Sequence, residues 1–373
     1  MRSWRKIAVV ATASLLLGSL AGCAQERTND AGSNGGSDSN LIGISMPTRS
    51  LERWNNDGAH LKEVLEKDGF KTSLQFADDK VDQQITQLQN MINEGAKILV
   101  VASIDGEALG PTLQTAADEG VKVIAYDRLI NGTENVDYYA TFDNELVGTL
   151  QGQFIEEKLG LKDGQKGPFN IEMFAGSPDD NNAKFFFKGA YDVLKPYLDS
   201  GVLVSPSGKV PADVDGWTNV GIQGWKTDSA QAEMETRLNT FYKGGTKVDV
   251  VLSPNDSLAL GIEQALEGSG YAPGAEWPII TGQDGDKANV KNMLADKQSM
   301  TVWKDTRTLG DQVAKMVREI TDGKEVTVND TDTYNNGKKT VPSFLLPPQV
   351  VVKDEVQKTL IDSGYLKASD VGL

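Results

Sequence analysis

From Leu41 onward the chain alternates between short, continuous apolar runs and longer segments whose apolar residues recur every three or four positions. The runs predict strands and the periodic segments helices, and their alternation predicts βα units around parallel sheets. A first set places strands at 41–46, 73–76, 98–102, 123–126 and 138–142, with helices at 53–67, 81–92 and 109–117. Within 81–92, Ile85, Leu88 and Ile92 line one helical face. Because the runs are continuous rather than alternating, both faces of each sheet are expected to be covered by helices.

A second set begins at Glu145, with helices at 147–158, 181–198, 230–242 and 258–266 and strands at 169–174, 202–204, 248–252 and 278–281. An apolar run at 300–303 leads to a last strong helix at 309–320, followed by an irregular tail with two isolated apolar runs. That unbalanced ending suggests a chain that crosses back between two lobes, each discontinuous in sequence. The length of 373 residues, with 39% hydrophobic and 24% charged, is enough for two such lobes, each with its own core.

The first forty residues follow a different pattern. Arg2, Arg5 and Lys6 precede an apolar run from Ile7 to Leu20 that ends in Leu20-Ala21-Gly22-Cys23. A basic start, a short apolar middle and small residues before a cut describe an export signal, here residues 1–22, and the run is short for a membrane span. The ending resembles the bacterial lipobox, which implies lipidation of Cys23 and anchoring at the outer face of the cell membrane or in the periplasm. Cys23 is the only cysteine, so it has no intrachain disulfide partner. Residues 24–40, rich in Ser, Gly, Asn and Asp, are expected to form with Cys23 a flexible tether spanning 23–40.

Charge and motif content narrow the function. A net charge of −16 without a basic stripe argues against a nucleic-acid partner. The single histidine, His60, sits in a predicted helix, where a solvated face is its expected home. It makes a Ser-His-Asp triad or a histidine-rich metal site untenable. The Asp330 to Gly337 segment lacks the spacing of a calcium loop and reads as a turn, and Gly268-Ser269-Gly270 ends a helix rather than opening one. Asp179-Asp180, followed by Asn181-Asn182 at a helix start, reads as a cap rather than a glycosidase pair. No metal or cofactor is called for.

In open parallel α/β sheets ligands lie beyond the carboxyl ends of the strands. Polar or aromatic residues recur there: Arg53-Trp54, Asp105, Asp127-Arg128, Asp143-Asn144, Asp179 to Asn182, Trp225, Asn255-Asp256, Asp284 and Lys304. Their chemistry suits a neutral polyol, whose hydroxyls donate to carboxylates and accept from Arg, Lys or Asn, while an indole covers the C–H face of a sugar ring.

Several of these residues lie in segments that resemble the periplasmic-binding-protein family serving monosaccharide ABC importers, in its xylose-binding and multiple-sugar-binding branch. The matching segments are Leu51-Glu52-Arg53-Trp54, Ala125 to Ile130, Phe142-Asp143-Asn144-Glu145, Gly176 to Ala183 and Gly282-Gln283-Asp284, spread over almost the whole chain from Ile42. The resemblance implies a type I fold: two doubly wound parallel-sheet α/β lobes joined by a three-segment hinge, with a monosaccharide captured between them and no reaction catalysed. It implies an N-terminal lobe of 41–143 plus about 305–335 and a C-terminal lobe of 144–304 plus about 336–373.

Carried over residue by residue, Arg53 resembles a hydroxyl-binding arginine, Trp54 and Trp225 the two aromatic walls, with Trp217 a rival to Trp225, and Asp105 and Arg128 the first-lobe contacts. Asp143 and Asn144 resemble hinge-side contacts, and Asn255, Asp284 and Lys304 second-lobe ligands, while Asp256 reads as a helix cap. Asn181 and Asn182 stand where ribose binders place an arginine, which points away from ribose, and the ligand implied is an aldose such as xylose, or glucose, galactose or arabinose. The implied partners are the sugar and the permease subunits of an ABC importer, with a chemoreceptor as a further candidate, and the protein is expected to be a monomer. A lipid-anchored glycoside hydrolase and a binder of another small polar solute are the alternatives.

Overall fold

The computed structural model describes residues 40–274 and 276–373; the expected signal, Cys23 and nearly all of the tether lie outside the described residues. Among the described residues no helix is long and apolar enough to cross a membrane.

The first half builds β1 (Leu41–Met46), α1 (Glu52–Lys67), β2 (Lys71–Phe76), α2 (Val81–Asn93), β3 (Ile98–Val101), α3 (Gly110–Asp118), β4 (Lys122–Tyr126) and β5 (Tyr138–Phe142). The chain then runs through α4 (Asn144–Lys158), β6 (Phe169–Met173), α5 (Asn181–Asp199), β7 (Leu203–Val204), α6 (Thr227–Phe241), β8 (Val250–Leu252), α7 (Asp256–Gly268), β9 (Ile279–Ile280), α8 (Lys287–Leu294), β10 (Thr301–Trp303), α9 (Thr306–Thr321), β11 (Ser343–Leu346) and β12 (Gln349–Val351).

The strands form two parallel sheets, ordered β11-β5-β4-β3-β1-β2 and β7-β6-β8-β9, and an antiparallel pair β10-β12. The first sheet carries an apolar cluster on each face, as continuous apolar strands require: Ile42, Ile44, Leu61 and Val313 in one, Leu88, Leu99, Leu113 and Val123 in the other. A third cluster, including Val147, Ile171, Phe186, Val250 and Ile262, is the core of the second lobe.

The chain passes between the lobes three times. It leaves the first sheet after β5 at Asp143-Asn144, since α4 packs its Val147, Phe154 and Ile155 into the second core. It returns at Lys304-Asp305, since Leu309, Val313 and Val317 of α9 join the first core beside α1. The third passage falls later than the expected boundary near 335/336. β11 pairs in parallel with β5 through Ser343 to Leu346, so the first lobe keeps the chain up to Leu346, and Pro347-Pro348 leads to β12, which pairs with β10. The tail then packs Val351, Val356, Leu360 and Val371 against Val290 and Met293 of α8.

Glycine sets two of the closest helix contacts. A Cβ on Gly148 of α4 would lie 1.8 Å from the Phe186 carbonyl oxygen of α5, and one on Gly189 of α5 would lie 2.1 Å from the Glu145 oxygen. These helices therefore meet backbone to backbone and hold the start of α5 at the cleft.

Candidate functional site

Strand ends from both lobes converge on a small interlobe cavity. Its lining comprises Leu51, Arg53, Trp54, Asp127 and Arg128 from the first lobe and Asp180, Asn182, Phe186, Trp225, Asn255, Gln283, Asp284 and Lys304 from the second.

Arg53 is the centre of the charge network. Its Nη2 lies 2.9 Å from Asp127 Oδ2, its Nε 3.2 Å from Asp57 Oδ2 and its Nη1 3.5 Å from Asp284 Oδ1 across the cleft. Lys304 Nζ stands 3.1 Å from Asp284 Oδ1 and 4.0 Å from Asp127 Oδ2. Arg128 donates Nη1 to the Ser103 carbonyl at 3.0 Å, and its Nε is 2.9 Å from Asp180 Oδ2. The lining thus holds three cations, Arg53, Arg128 and Lys304, against three carboxylates, Asp127, Asp180 and Asp284.

Burial works against the Arg53 charge, but Asp127, Asp57 and Asp284 outweigh it and hold its pKa well above the usual value. Burial also opposes the Asp127 charge, yet Arg53, Lys304 and Arg128 pull its pKa below the usual carboxylate range. Behind them, burial pushes Asp57 up to about 6 against the pull of Arg53, and Tyr126 donates its hydroxyl to the same carboxylate.

Two indoles face the cavity from opposite lobes. Trp54 is fully buried, with the Arg53 and Arg128 guanidiniums 4.4 Å and 5.2 Å from its ring centroid. Trp225 donates Nε1 to Asp180 Oδ2 at 3.1 Å and meets Phe186 edge-on at a centroid distance of 6.3 Å. The Trp225 ring lies directly on the backbone of Gly176, where a Cβ would stand 2.0 Å from the indole.

Three lining residues have a left-handed backbone: Asp127 at φ 59°, Trp225 at φ 55° and Asp284 at φ 100°. Aspartate tolerates this region, whereas a bulky tryptophan there is an outlier, and such strain concentrates at functional sites. Asp127 is held by its carbonyl, which accepts from Tyr139 Oη at 2.7 Å, Thr141 Oγ1 at 2.9 Å and Asn182 Nδ2 at 2.7 Å.

Of the residues expected at the site, Arg53, Trp54, Arg128, Trp225, Asn255, Asp284 and Lys304 line the cavity. Asn255 also caps α7, its Oδ1 accepting from Leu258 N, so its NH2 end is what it offers the cavity. Four expected contacts lie elsewhere. Asp105 turns back to cap Glu107 N, and with Asn181 and Trp217 it lines a separate groove at the outer rim. Asp143 caps α4 through Leu146 N. Asn144 is buried in the hinge, donating to Tyr139 Oη, Asn182 Oδ1 and Tyr334 Oη, and so ties the lobes rather than facing the cavity.

Asp127, Asp180 and Asn182, named in the sequence among the polar strand-end residues, also line the cavity, and sequence reasoning passed over Phe186 and Gln283 as site residues. Asp180 does cap α5, accepting from Asn182 N, but its second oxygen serves Arg128 and Trp225. Asp256 is not the cap of α7, and it organises the loop that carries Asp284, as described below. His60 is not on a freely solvated face: its Nε2 lies 2.8 Å from Asp311 of α9.

Residues 42–325 match the periplasmic binding protein domain. The chain belongs to the periplasmic binding protein family. Over 329 residues it is 50% identical to a multiple sugar-binding periplasmic protein of Azospirillum brasilense, covering 88% of this chain and 90% of that one. It is 36% identical to a D-xylose-binding periplasmic protein of Escherichia coli over 88% of this chain and 92% of that one. An ABC transporter solute-binding protein of Clostridium phytofermentans, solved with bound β-D-glucose, superposes with a TM-score of 0.85 at 50% identity, covering 89% of this chain and 99% of that one. Two parallel-sheet lobes with a ligand cavity between them are the type I arrangement of this family.

Proposed function

We propose that this binding protein captures a pyranose monosaccharide, of the glucose or xylose type, between its lobes and hands it to an ABC importer without chemical change. The observation that carries the reading is the interlobe cavity, charge-balanced by three cations and three carboxylates and lined by an indole from each lobe. A neutral polyol satisfies both signs at once: each hydroxyl donates to a carboxylate and accepts from a guanidinium, ammonium or amide. Buried Trp54 Nε1 and Gln283 Oε1 have no protein partner among the described residues, so they offer the ligand one donor and one acceptor. The glucose-bound relative supports the choice of sugar.

A screen of D-glucose, D-xylose, D-galactose, L-arabinose and D-ribose by tryptophan emission tests this, because Trp54 and Trp225 both line the cavity. Saturable changes with glucose or xylose at the lowest concentrations, and ribose weakest, are expected; no response to any of the five contradicts the assignment.

The export signal and the Leu-Ala-Gly-Cys ending support a lipid anchor on Cys23. Cys23→Ala is expected to release the protein into the medium, and a variant retained with membranes at wild-type levels contradicts the anchor.

A further inference from the structure

The cavity carboxylate Asp284 sits on a loop, Gly282 to Asp286, whose backbone is unusual. Asp284 itself has φ 100° and Gly285 φ 76°. An L residue at φ 100° persists only where its surroundings over-determine it. The Asp284 amide donates to the Val302 carbonyl at 3.0 Å, and the amides that follow it are held by the carboxylate of Asp256, the first residue of α7, which is fully buried and does not line the cavity.

Both successive amides after Asp284 point at one oxygen: Gly285 N and Asp286 N each donate to Asp256 Oδ2 at 2.9 Å. The other oxygen accepts from Gln298 Nε2 at 2.7 Å and Thr301 Oγ1 at 3.1 Å. The Asp256 amide in turn donates to the Gln283 carbonyl at 3.0 Å, and Asn289 Nδ2 donates to the Asp256 carbonyl at 2.8 Å. The loop wraps so closely that a Cβ on Gly282 would lie 2.2 Å from Asp256 Oδ1. Adjacent amides converging on one acceptor form a nest, and here the acceptor is a side-chain carboxyl oxygen of the same lobe.

We infer that Asp256 is a positioning residue for ligand capture, fixing the inverted backbone that aims Asp284 at Arg53, Lys304 and the bound sugar. The inference rests on the proposed sugar-binding reading of the cavity. It separates two aspartates that face each other across one loop: Asp284 touches the ligand, and Asp256 acts only through Asp284.

An asparagine at 256 has nearly the same shape but puts an NH2 against either the two loop amides or Gln298 Nε2. Gln298 cannot turn to accept without giving up its bonds to Met300 O and Asn289 Nδ2. Either orientation leaves donors facing each other, so the loop is expected to relax and Asp284 to swing away.

The test is a double-mutant cycle by titration calorimetry of the full chain with D-glucose and D-xylose, using Asp256→Asn, Asp284→Ala and the pair, with circular dichroism as the folding control. Asp256→Asn is expected to weaken binding at least tenfold in the wild-type background and less than threefold once Asp284 is replaced by Ala. A merely structural role would give the same loss in both backgrounds, and that additive result overturns the inference, as does wild-type affinity in folded Asp256→Asn. Should Asp256→Asn not fold, Thr301→Val removes the Thr301 Oγ1 contact to Asp256 and is run through the same cycle, with the same two results deciding. Wild-type protein that binds neither sugar overturns the reading of the cavity, and this inference with it.

Discussion

At the residue scale, the site depends on a few positions where backbone and side chain constrain each other. Trp225 can lie flat against the chain because Gly176 carries no side chain. Gly176→Ala would push the indole off the backbone and break its bond to Asp180. Overpacking of this kind costs about 1–3 kcal/mol. It is expected to weaken all pyranoses together, by about tenfold or more, since stacking is indifferent to hydroxyl stereochemistry. Calorimetry of Gly176→Ala with glucose and xylose checks this; unchanged affinity would show that Trp225 is not a wall of the site. The residues legible in the sequence were those following a recognisable strand, such as Arg128 after β4 and Lys304 after β10. The misreadings came where neighbours differ only by orientation. Nothing local separates Asn181, which lines the outer groove, from Asn182, which reaches the Asp127 carbonyl. Asp180 hid behind its own capping role, and Phe186 behind a helical core period.

At the element scale, continuous apolar runs identified the parallel strands and helical spacing identified the major helices. Two kinds of element escaped. α8 was missed because its apolar residues Val290, Met293 and Leu294 are too few to set a period. β11 and β12 stood out only as isolated apolar runs, because what makes them strands is pairing with β5 and β10, distant in sequence. That is also why the third crossover was placed too early. A buried charge on α7 carries a further consequence. Glu263 is pushed by burial up to about 8 from 4.5, and its Oε1 has no partner among the described residues. A raised folded-state pKa means that the native chain binds the proton more tightly than the unfolded one, so its contribution to stability falls as pH rises from about 4.5 to about 8. Asp57, at about 6, and Asp256, at about 7 through burial and the Asp284 charge, act in the same direction in their own windows. Glu263→Gln is expected to raise the melting temperature by a few degrees at pH 8 and hardly at all at pH 5. A gain independent of pH would show that the Glu263 proton plays no part.

At the scale of the whole molecule, the lobes meet through polar groups that also line the proposed sugar site. Arg53 reaches Asp284, Lys304 approaches Asp127, Arg128 faces Asp180, and Asn182 holds the Asp127 backbone, each pair spanning the cleft. On the proposed reading, the side chains that join the lobes are also those that recognise the sugar, so both lobes supply its contacts. The measurement that bears most directly on this account is titration calorimetry of D-glucose and D-xylose into the wild-type protein and Asp284→Ala. Charge-assisted hydrogen bonds from sugar hydroxyls are worth about 1.5–3 kcal/mol each, and about 1.4 kcal/mol is one decade of affinity. The account predicts one sugar per chain for the wild type, and binding weakened roughly tenfold to several-hundredfold in a folded Asp284→Ala protein. Wild-type affinity in that folded variant, or no heat from either sugar with the wild type, would contradict it.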